Sequence, residues 1–313
     1  MAACIDLMAD ALASLARGDA LLPLRTVIRL GDGRSALAAM PAVLGPSIGA
    51  KIITVFPSNE GTPYESHIGV VLYFDDRNGR LLAIIDASTV TAIRTAAVSG
   101  LATRWLSRAD ASELAILGSG VQAMTHLEAM RCVRDIRRVR VWSRRGENAE
   151  RFARDAAARF GVVAEAVPTA ERAVRDADIV CTTTAAREPV LLGEWLRPGS
   201  HVNAVGASVA AARELDTEAV VRSRLFVDRR ESTLAEAGDF LIPRDEGAIA
   251  NDHIVAELGD VVIGRVVGRR SSAEVTLFKS LGLAIEDVAS ARLIHERASA
   301  EGVGTWVDLG GLR

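Results

Sequence analysis

The chain has 313 residues, of which 49% are hydrophobic and 25% charged, a composition typical of a globular protein with one or two domains. Its net charge of −3 argues against binding to nucleic acid or to an anionic membrane surface. No run approaches the about 18 apolar residues of a membrane-spanning helix, and the N-terminus lacks the pattern of a signal peptide. We therefore expect a cytoplasmic protein with no membrane or nucleic-acid partner.

Cysteine and histidine usage predicts neither a disulfide framework nor a metal site. The three cysteines, Cys4, Cys132 and Cys181, are odd in number and far apart, which fits a reducing compartment. The five histidines are dispersed, and no pair shows ligand spacing beside a carboxylate. We predict that no metal is bound.

The first third of the chain combines one helix with a β-rich segment. Apolar spacing predicts a helix over residues 3–17, which ends at Gly18. Strands are predicted at 26–30, 50–56, 69–74 and 81–86, the last two joined by a turn at 76–79. Because such consecutive strands pair through short turns, an antiparallel or mixed sheet is predicted.

The pattern changes after residue 91, where strands alternate with helices. The predicted strands lie at 113–117, 139–142, 178–182, 201–205 and 225–227. The predicted helices cover 92–106, the segment that ends at Met130, and 147–160. This alternation indicates a Rossmann-type doubly wound parallel sheet beside a mixed α+β domain, and so an α/β fold class. We predict one domain from residues 1–95 with 283–313, to which a last helix at 283–300 returns, and a Rossmann domain over 96–282.

The strand at 113–117 ends in a glycine-rich turn that opens a helix. The turn reads Gly118, Ser119, Gly120, Val121, Gln122, Ala123. Gly118 permits the tight turn, Gly120 lets the backbone approach a pyrophosphate, and Ala123 keeps the helix close to the sheet. The N–H groups and dipole of that helix favour phosphate. We predict that the first five of these residues bind a dinucleotide.

The tip of the next strand distinguishes between the two nicotinamide dinucleotides. An NAD site usually carries Asp or Glu about 20 residues further on, to accept hydrogen bonds from the ribose 2′-hydroxyl. Here Ser143, Arg144 and Arg145 follow the strand, and the tip has no carboxylate. Guanidinium groups bind phosphate through charge-assisted, planar hydrogen bonds. We therefore predict NADPH, rather than NADH, as the cofactor.

Further cofactor contacts are predicted where later strands end. Ligands of open α/β sheets bind at the carboxyl ends of the strands. Thr182 and Thr183 end one predicted strand, and Val205 and Gly206 end the next.

Charged residues outside the Rossmann pattern are candidates for substrate binding. They are Arg25, Lys51, His67 and Arg94, to which Asp228 is added from the later part of the chain. Lys51 lies in an otherwise apolar strand, where an inward charge is costly unless it is paired or liganded. Arg94 opens a stretch of small and apolar residues.

These residues lie in segments that resemble the ornithine cyclodeaminase/mu-crystallin family along nearly the whole chain. The matching segments are residues 40–42, 49–51, 66–67, 91–99, 117–123, 203–208, 213–216, 227–228, 256–259 and 278–282. The resemblance implies a homodimer joined through the first domain, which also binds the substrate. It further implies that Arg25, Lys51 and Arg94 hold a substrate carboxylate, and that Asp228 is a functional acid. His67 matches a ligand-pocket position of the mu-crystallin branch.

Three features favour the ketimine-reductase branch of that family. The tip at Ser143 to Arg145 resembles the NADPH-using members, and segments 203–208 and 278–282 are similar to the same branch. Ala38 and Ala39 stand where the cyclodeaminases have a carboxylate that serves as a general base. We therefore predict NADPH-dependent reduction of a small cyclic imino acid, Δ1-pyrroline-2-carboxylate or Δ1-piperideine-2-carboxylate, to proline or pipecolate. Lys51 and Asp228 are the predicted catalytic residues.

Three alternatives remain open from the sequence. One is an NAD-dependent ornithine cyclodeaminase, which is a lyase, and another is a dehydrogenase of alanine or N-alkyl amino acids. A third is an NADPH-gated ligand-binding protein without enzymatic activity, as the mu-crystallin resemblance allows. One departure from the family is the short segment before the first helix, which is missing here, so either the substrate domain lacks an edge strand or the chain starts upstream of Met1.

Overall fold

The structure, a computed structural model, describes residues 1–59 and 61–309. Its contacts divide the chain into two units. Unit 1 contains Met1–Ala9 and Thr95–Gly282, and unit 2 contains Asp10–Arg94 and the chain from Leu283 onward. The first nine residues thus group with unit 1, whereas the sequence-based division placed them in the first domain.

The secondary-structure elements follow the chain in this order. The strands are β1 (Ala20–Leu21), β2 (Thr26–Arg29), β3 (Ala36–Leu44), β4 (Ser47–Val55), β5 (His67–Asp75), β6 (Leu81–Asp86), β7 (Glu113–Leu117), β8 (Arg138–Trp142), β9 (Val163–Ala166), β10 (Ile179–Thr182), β11 (His201–Ala204), β12 (Arg224–Val227), β13 (Ile254–Glu257) and β14 (Thr276–Lys279). The helices are α1 (Ala2–Arg17), α2 (Ala87–Leu106), α3 (Val121–Val133), α4 (Gly146–Phe160), α5 (Ala170–Val174), α6 (Thr217–Val221), α7 (Arg230–Glu236), α8 (Gly238–Asp245), α9 (Leu258–Val262) and α10 (Ala284–Glu301).

Unit 2 is built on an antiparallel sheet with the order β1-β3-β4-β5-β6, in which β2 also pairs with β3. Helix α10 packs against β3, β4, β5 and β6. Alternate residues of β3 and β4 are buried, so one face of the sheet carries the core. Gly49 lets α10 approach closely, because a Cβ there would lie 2.9 Å from a methyl group of Val288.

Strand β3 was missed by the sequence analysis because its residues disfavour strands. The segment is rich in alanine and contains Pro41, which cannot donate a ladder hydrogen bond. On one side β3 pairs with β2 through Ala36 to Ala39, and with β1 through Val43 and Leu44. Pro41 lies between these two short pairings, where the missing N–H is tolerated.

Unit 1 is a parallel sheet in the order β13-β12-β14-β11-β10-β7-β8-β9, which confirms the predicted α/β class with a Rossmann-type sheet. From β7 the chain adds β8 and β9 on one side and then β10 on the other, so the strand order reverses at β7 and places a topological switch point at the glycine-rich turn. Strands β9, β13 and β14 were not predicted from the sequence, although they are as long as β10, β11 and β12, which were. In the described residues, no helix has the length and apolar character needed to cross a membrane.

Candidate functional site

The glycine-rich turn connects β7 to α3 at the switch point. Gly118 has φ +117°, a conformation that favours glycine, and a Cβ there would lie 2.7 Å from the Thr183 carbonyl oxygen. Gly120 is the N-cap of α3 and provides no capping side chain, so the helix N-terminus is open to an anion. A Cβ at Gly120 would meet no atom within 4 Å. The turn therefore fits the pyrophosphate of a dinucleotide, next to Val121 and Gln122.

The tip of β8 is tied to this turn by a hydrogen bond. The Ser119 hydroxyl donates to Ser143 Oγ at 3.0 Å. Arg144 and Arg145 follow as exposed residues before α4 begins at Gly146. The predicted arginine pair thus belongs to the same surface as the glycine-rich turn.

The end of β10 is held by hydrogen bonds from Thr182 and Thr183. Thr183 binds the end of β7, since its N–H and its hydroxyl both donate to the Leu117 carbonyl oxygen, at 2.8 and 3.2 Å. Thr182 is fully buried, and its hydroxyl donates to Glu214 at 2.7 Å. Val205 and Gly206 are half-buried at the end of β11. The backbone of this edge, more than the Thr182 side chain, is what a ligand would meet.

Asp228 is fully buried directly after β12. One carboxylate oxygen accepts the Arg229 N–H at 2.7 Å, and the other accepts the N–H groups of Leu281 and Gly282 at 2.5 and 2.8 Å. Three amide donors hold the carboxylate in one orientation. Asp228 therefore joins the ends of β12 and β14.

In unit 2, Lys51 and Arg94 are buried together against two acidic residues of α10. Lys51 Nζ lies 2.8 Å from Asp287 Oδ2 and donates to the Thr91 hydroxyl at 3.4 Å. The Arg94 guanidinium binds Glu286 at 2.8 Å and Asp287 at 3.1 Å. We call these residues, Lys51, Arg94, Glu286 and Asp287, the buried charge cluster.

Folding changes the acidity of Lys51. Burial, and then the neighbouring Arg94 cation, lower the pKa of Lys51 from 10.5 to about 8, whereas Asp287 opposes the change. An amine with this pKa can gain or lose a proton near neutral pH, which a surface lysine does not do. Lys51 is therefore suited both to attract an anion and to transfer a proton.

His67 lies on the same sheet as Lys51, and Arg25 directly precedes β2 of that sheet. Thr26 pairs with Ala39, whose neighbour Met40 pairs with Lys51, so Arg25 stands one residue before the start of β2, on the side of β3 opposite to β4. His67 begins β5, four residues before Val71, the β5 partner of Lys51, and therefore shares its face. Desolvation, and then the Lys51 cation, lower the pKa of His67. Its Nδ1 is 2.9 Å from the Ser66 hydroxyl.

The sequence profile of the ornithine cyclodeaminase/mu-crystallin family matches residues 1–302. The chain belongs to this family. A mouse relative, named ketimine reductase mu-crystallin, is 40% identical over 285 residues, which cover 90% of this chain and 87% of the mouse protein. These findings confirm the family inferred from the sequence.

Two solved structures of the family superpose on nearly the whole chain. The Δ1-pyrroline-2-carboxylate reductase of Thermococcus litoralis, in complex with NADH and L-proline, is 40% identical, with a TM-score of 0.95 over 97% of this chain and 95% of its own. An archaeal alanine dehydrogenase dimer with bound NAD is 32% identical, with a TM-score of 0.93 over 98% and 94%. The prediction of a nicotinamide-dependent oxidoreductase that acts on CH–NH or C=N bonds is confirmed.

The acidic half of the buried charge cluster was not predicted from the sequence. Glu286 and Asp287 stand in the first turn of α10, where acidic residues usually serve the helix dipole. The available signal was their position between the apolar Ile285 and Val288, which are buried with them. Among the residues that the structure describes, no three His, Cys, Asp or Glu side chains are grouped to hold a metal ion.

Proposed function

We propose that this protein reduces cyclic ketimine carboxylates, Δ1-pyrroline-2-carboxylate or Δ1-piperideine-2-carboxylate, to proline or pipecolate with NADPH. The observation that carries the proposal is the buried charge cluster, in which two cationic side chains, Lys51 of β4 and Arg94 of α2, both contact Asp287. A small α-carboxylate is the anion that such a pair would bind. The Thermococcus litoralis relative, whose complex contains NADH and L-proline, supports this substrate class.

Each charged side chain has its own role in the proposed reaction. Lys51, Arg94 and Arg25 bind the carboxylate, while Glu286 and Asp287 orient the two buried cations.

When bound at the glycine-rich turn, the dinucleotide supplies the hydride that reduces the C=N carbon. Lys51, whose pKa is about 8, holds a proton that can be given to the imine nitrogen. Asp228 stabilises positive charge on that nitrogen through its fixed carboxylate, and His67 lines the ligand pocket.

NADPH is proposed over NADH on the basis of the β8 tip. Arg144 and Arg145 offer guanidinium groups to a 2′-phosphate, and the tip has no carboxylate to bind a 2′-hydroxyl. The test is kcat/KM with each dinucleotide in the wild type and in the double variant Arg144→Ala, Arg145→Ala. We expect a preference for NADPH that the double variant loses. Faster turnover with NADH in the wild type would contradict the assignment.

The function itself is tested by screening imine substrates. Purified protein is mixed with NADPH and five- or six-membered cyclic imine carboxylates, and oxidation of the cofactor is followed by absorbance. Pyruvate with ammonia or methylamine tests the dehydrogenase alternative, and ornithine without added cofactor tests the cyclodeaminase alternative. Activity only with ornithine would overturn the proposal, although Ala38 and Ala39 in β3 offer no general base for that reaction.

We further propose a homodimer formed through the open face of the unit 2 sheet. Strand pairing places four exposed apolar side chains on the face opposite α10: Ile28, Leu37, Ile68 and Ile84. A contiguous apolar surface of this kind commonly marks a protein interface. The archaeal alanine dehydrogenase, described as a dimer, supports a second copy of this chain as the partner.

A further inference from the structure

Glu214 is a fully buried acid that receives four hydrogen bonds at the carboxyl edge of the unit 1 sheet. Its Oε1 accepts from the N–H and the hydroxyl of Thr184, at 2.6 and 2.7 Å. Its Oε2 accepts from the Thr182 hydroxyl at 2.7 Å and from the Gly206 N–H at 2.6 Å. Thr182 is the last residue of β10, and the other three donors belong to the segments that follow β10 and β11. One carboxylate therefore holds two loops of this edge together.

A second layer of buried charges holds Glu214 in place. Asp239, at the start of α8, accepts the N–H groups of Glu214 and Leu215 at 2.8 and 3.1 Å. The other Asp239 oxygen binds Lys279 Nζ at 2.8 Å, and Lys279 ends β14 with 1% of its surface exposed. Since an unpaired buried charge is costly, this arrangement resists displacement of Glu214.

Two segments at this edge of the sheet need glycine, because their backbones pack closely on their neighbours. A Cβ on Gly206 would lie 2.6 Å from Glu214 Oε1 and would collide with the Thr184 carbonyl oxygen. A Cβ on Gly118 would lie 2.7 Å from the Thr183 carbonyl oxygen. The turn after β7 and the loops after β10 and β11 are thus in close contact.

We propose that Glu214, held by Asp239 and Lys279, is a positioning residue that orders the loops after β7, β10 and β11 for the dinucleotide. This inference rests on the proposed function, because it takes the carboxyl edge at the switch point as the cofactor site. Glu214 itself is buried and acts through Thr184 and Gly206.

The charge state of Glu214 provides an independent readout. Burial, and then the Asp239 carboxylate, raise the pKa of Glu214, while Lys279 and the threonine hydroxyls lower it. As the pH falls through this raised pKa, the carboxyl gains a proton and one of its oxygens must become a donor. We expect cofactor affinity to decrease over that pH range in the wild type, and Glu214→Gln to abolish this part of the pH profile.

The matched control is Asp178, a buried acid at the opposite edge of the same sheet. It precedes β10, accepts the N–H groups of Ser112 and Glu113 at 2.9 and 3.0 Å, and pairs with Arg108 and Arg197. Like Glu214, it bonds to backbone amides, but it lies at the amino ends of the strands. Its replacement should affect folding stability without affecting the cofactor site.

The experiment compares Glu214→Gln with Asp178→Asn by melting temperature, by the Kd for NADPH from fluorescence quenching, and by kcat and KM. In Glu214→Gln, an NH2 group replaces one of the two acceptor oxygens. Because each oxygen accepts one backbone N–H, from Thr184 or from Gly206, one of these N–H groups loses its acceptor. We expect about a tenfold higher Kd and KM for NADPH in Glu214→Gln, and an unchanged Kd in Asp178→Asn despite a lower melting temperature. Thr182→Val, which removes one of the four donors, should raise Kd about threefold and serves if Glu214→Gln does not fold.

Two outcomes separate the inference from the function. If the wild type binds neither NADPH nor NADH, the proposed function fails. The other outcome is that the wild type binds cofactor, and the melting temperature of Glu214→Gln or Thr182→Val falls while its Kd for NADPH is unchanged. Glu214 is then structural, and the inference is overturned.

Discussion

At the scale of single residues, Lys51 is almost completely buried and has two charged neighbours. The Arg94 cation repels its ammonium group, and the Asp287 carboxylate attracts it. Its pKa is lowered to about 8, because desolvation and Arg94 outweigh the attraction of Asp287. Below that pH the ammonium form binds a carboxylate and carries a proton, and above it the neutral amine does neither. The proposed reaction therefore depends on the protonated fraction of one residue.

We predict that kcat/KM for imine reduction falls as the pH rises through about 8, since this ratio reports ionisations of the free enzyme. The measurement is a pH–rate profile with saturating NADPH. Lys51→Arg is the control, because arginine stays charged throughout the range while the titration of the substrate is unchanged. The same inflection in Lys51→Arg would assign it to the substrate instead.

Asp228 differs from Lys51, because both oxygens of its carboxylate accept hydrogen bonds from backbone N–H groups. If it stabilises charge on the substrate nitrogen, Asp228→Asn should lower kcat about a hundredfold, as for loss of a charge-stabilising group. The Kd for NADPH should change much less, since no predicted phosphate contact involves this residue. Steady-state kinetics and cofactor titration measure both values. An unchanged kcat would remove Asp228 from the mechanism.

At the scale of elements, α10 supplies the acids that balance Lys51 and Arg94. Asp287→Asn leaves two cations buried with one carboxylate, and we expect a loss of about 3–5 kcal/mol in the free energy of unfolding. The pH at which kcat/KM falls should also decrease, because Lys51 loses its nearest anion. Chemical denaturation measures the first effect.

The control on the same helix is Glu296, which is exposed and lies 3.9 Å from Arg292. Glu296→Gln should change the free energy of unfolding by about 0.5 kcal/mol or less. Equal losses in Glu296→Gln and Asp287→Asn would contradict the importance given to the buried charge cluster.

The two glycines of the turn between β7 and α3 have different roles, which substitution by alanine should distinguish. Gly118→Ala forces a positive φ on alanine and a contact with the Thr183 carbonyl oxygen, so it should lower both the melting temperature and the affinity for NADPH. Gly120→Ala meets no atom within 4 Å, so the melting temperature should be retained. The added methyl group nevertheless occupies the side from which a pyrophosphate approaches, and affinity should fall about tenfold or more. Wild-type affinity in Gly120→Ala would place the phosphates elsewhere.

At the scale of the whole molecule, the open face of the unit 2 sheet predicts the oligomeric state. Ile28→Asp puts a charge into the proposed interface, and we expect light scattering after size exclusion to show a monomer. Val163→Asp is the control, because Val163 is an exposed apolar residue on β9 of unit 1 and should leave a dimer intact. A monomeric wild type would contradict the proposal.

Much of the fold was accessible from local patterns, and the exceptions have identifiable causes. The helices and strands of the Rossmann pattern were predicted where apolar periodicity was strong, as at β7 and α4. Strand β3 was missed because alanine and Pro41 conceal it. Strand β14 inserts between β11 and β12, a position that no local pattern encodes, since strand order depends on crossover connections.

The candidate site likewise contains features that adjacent residues encode and contacts that only the folded chain creates. The sequence alone determined the glycine-rich turn, the arginine tip and the family, because a positive φ, a missing Cβ or a missing carboxylate is a property of adjacent residues. Only the tertiary structure decided which groups neutralise the buried charges. Arg94 meets Asp287 across 193 residues, and Lys279 meets Asp239 across 40. Such pairs are selected by the cost of burying an ion without a partner, and that cost arises only once the chain has folded around it.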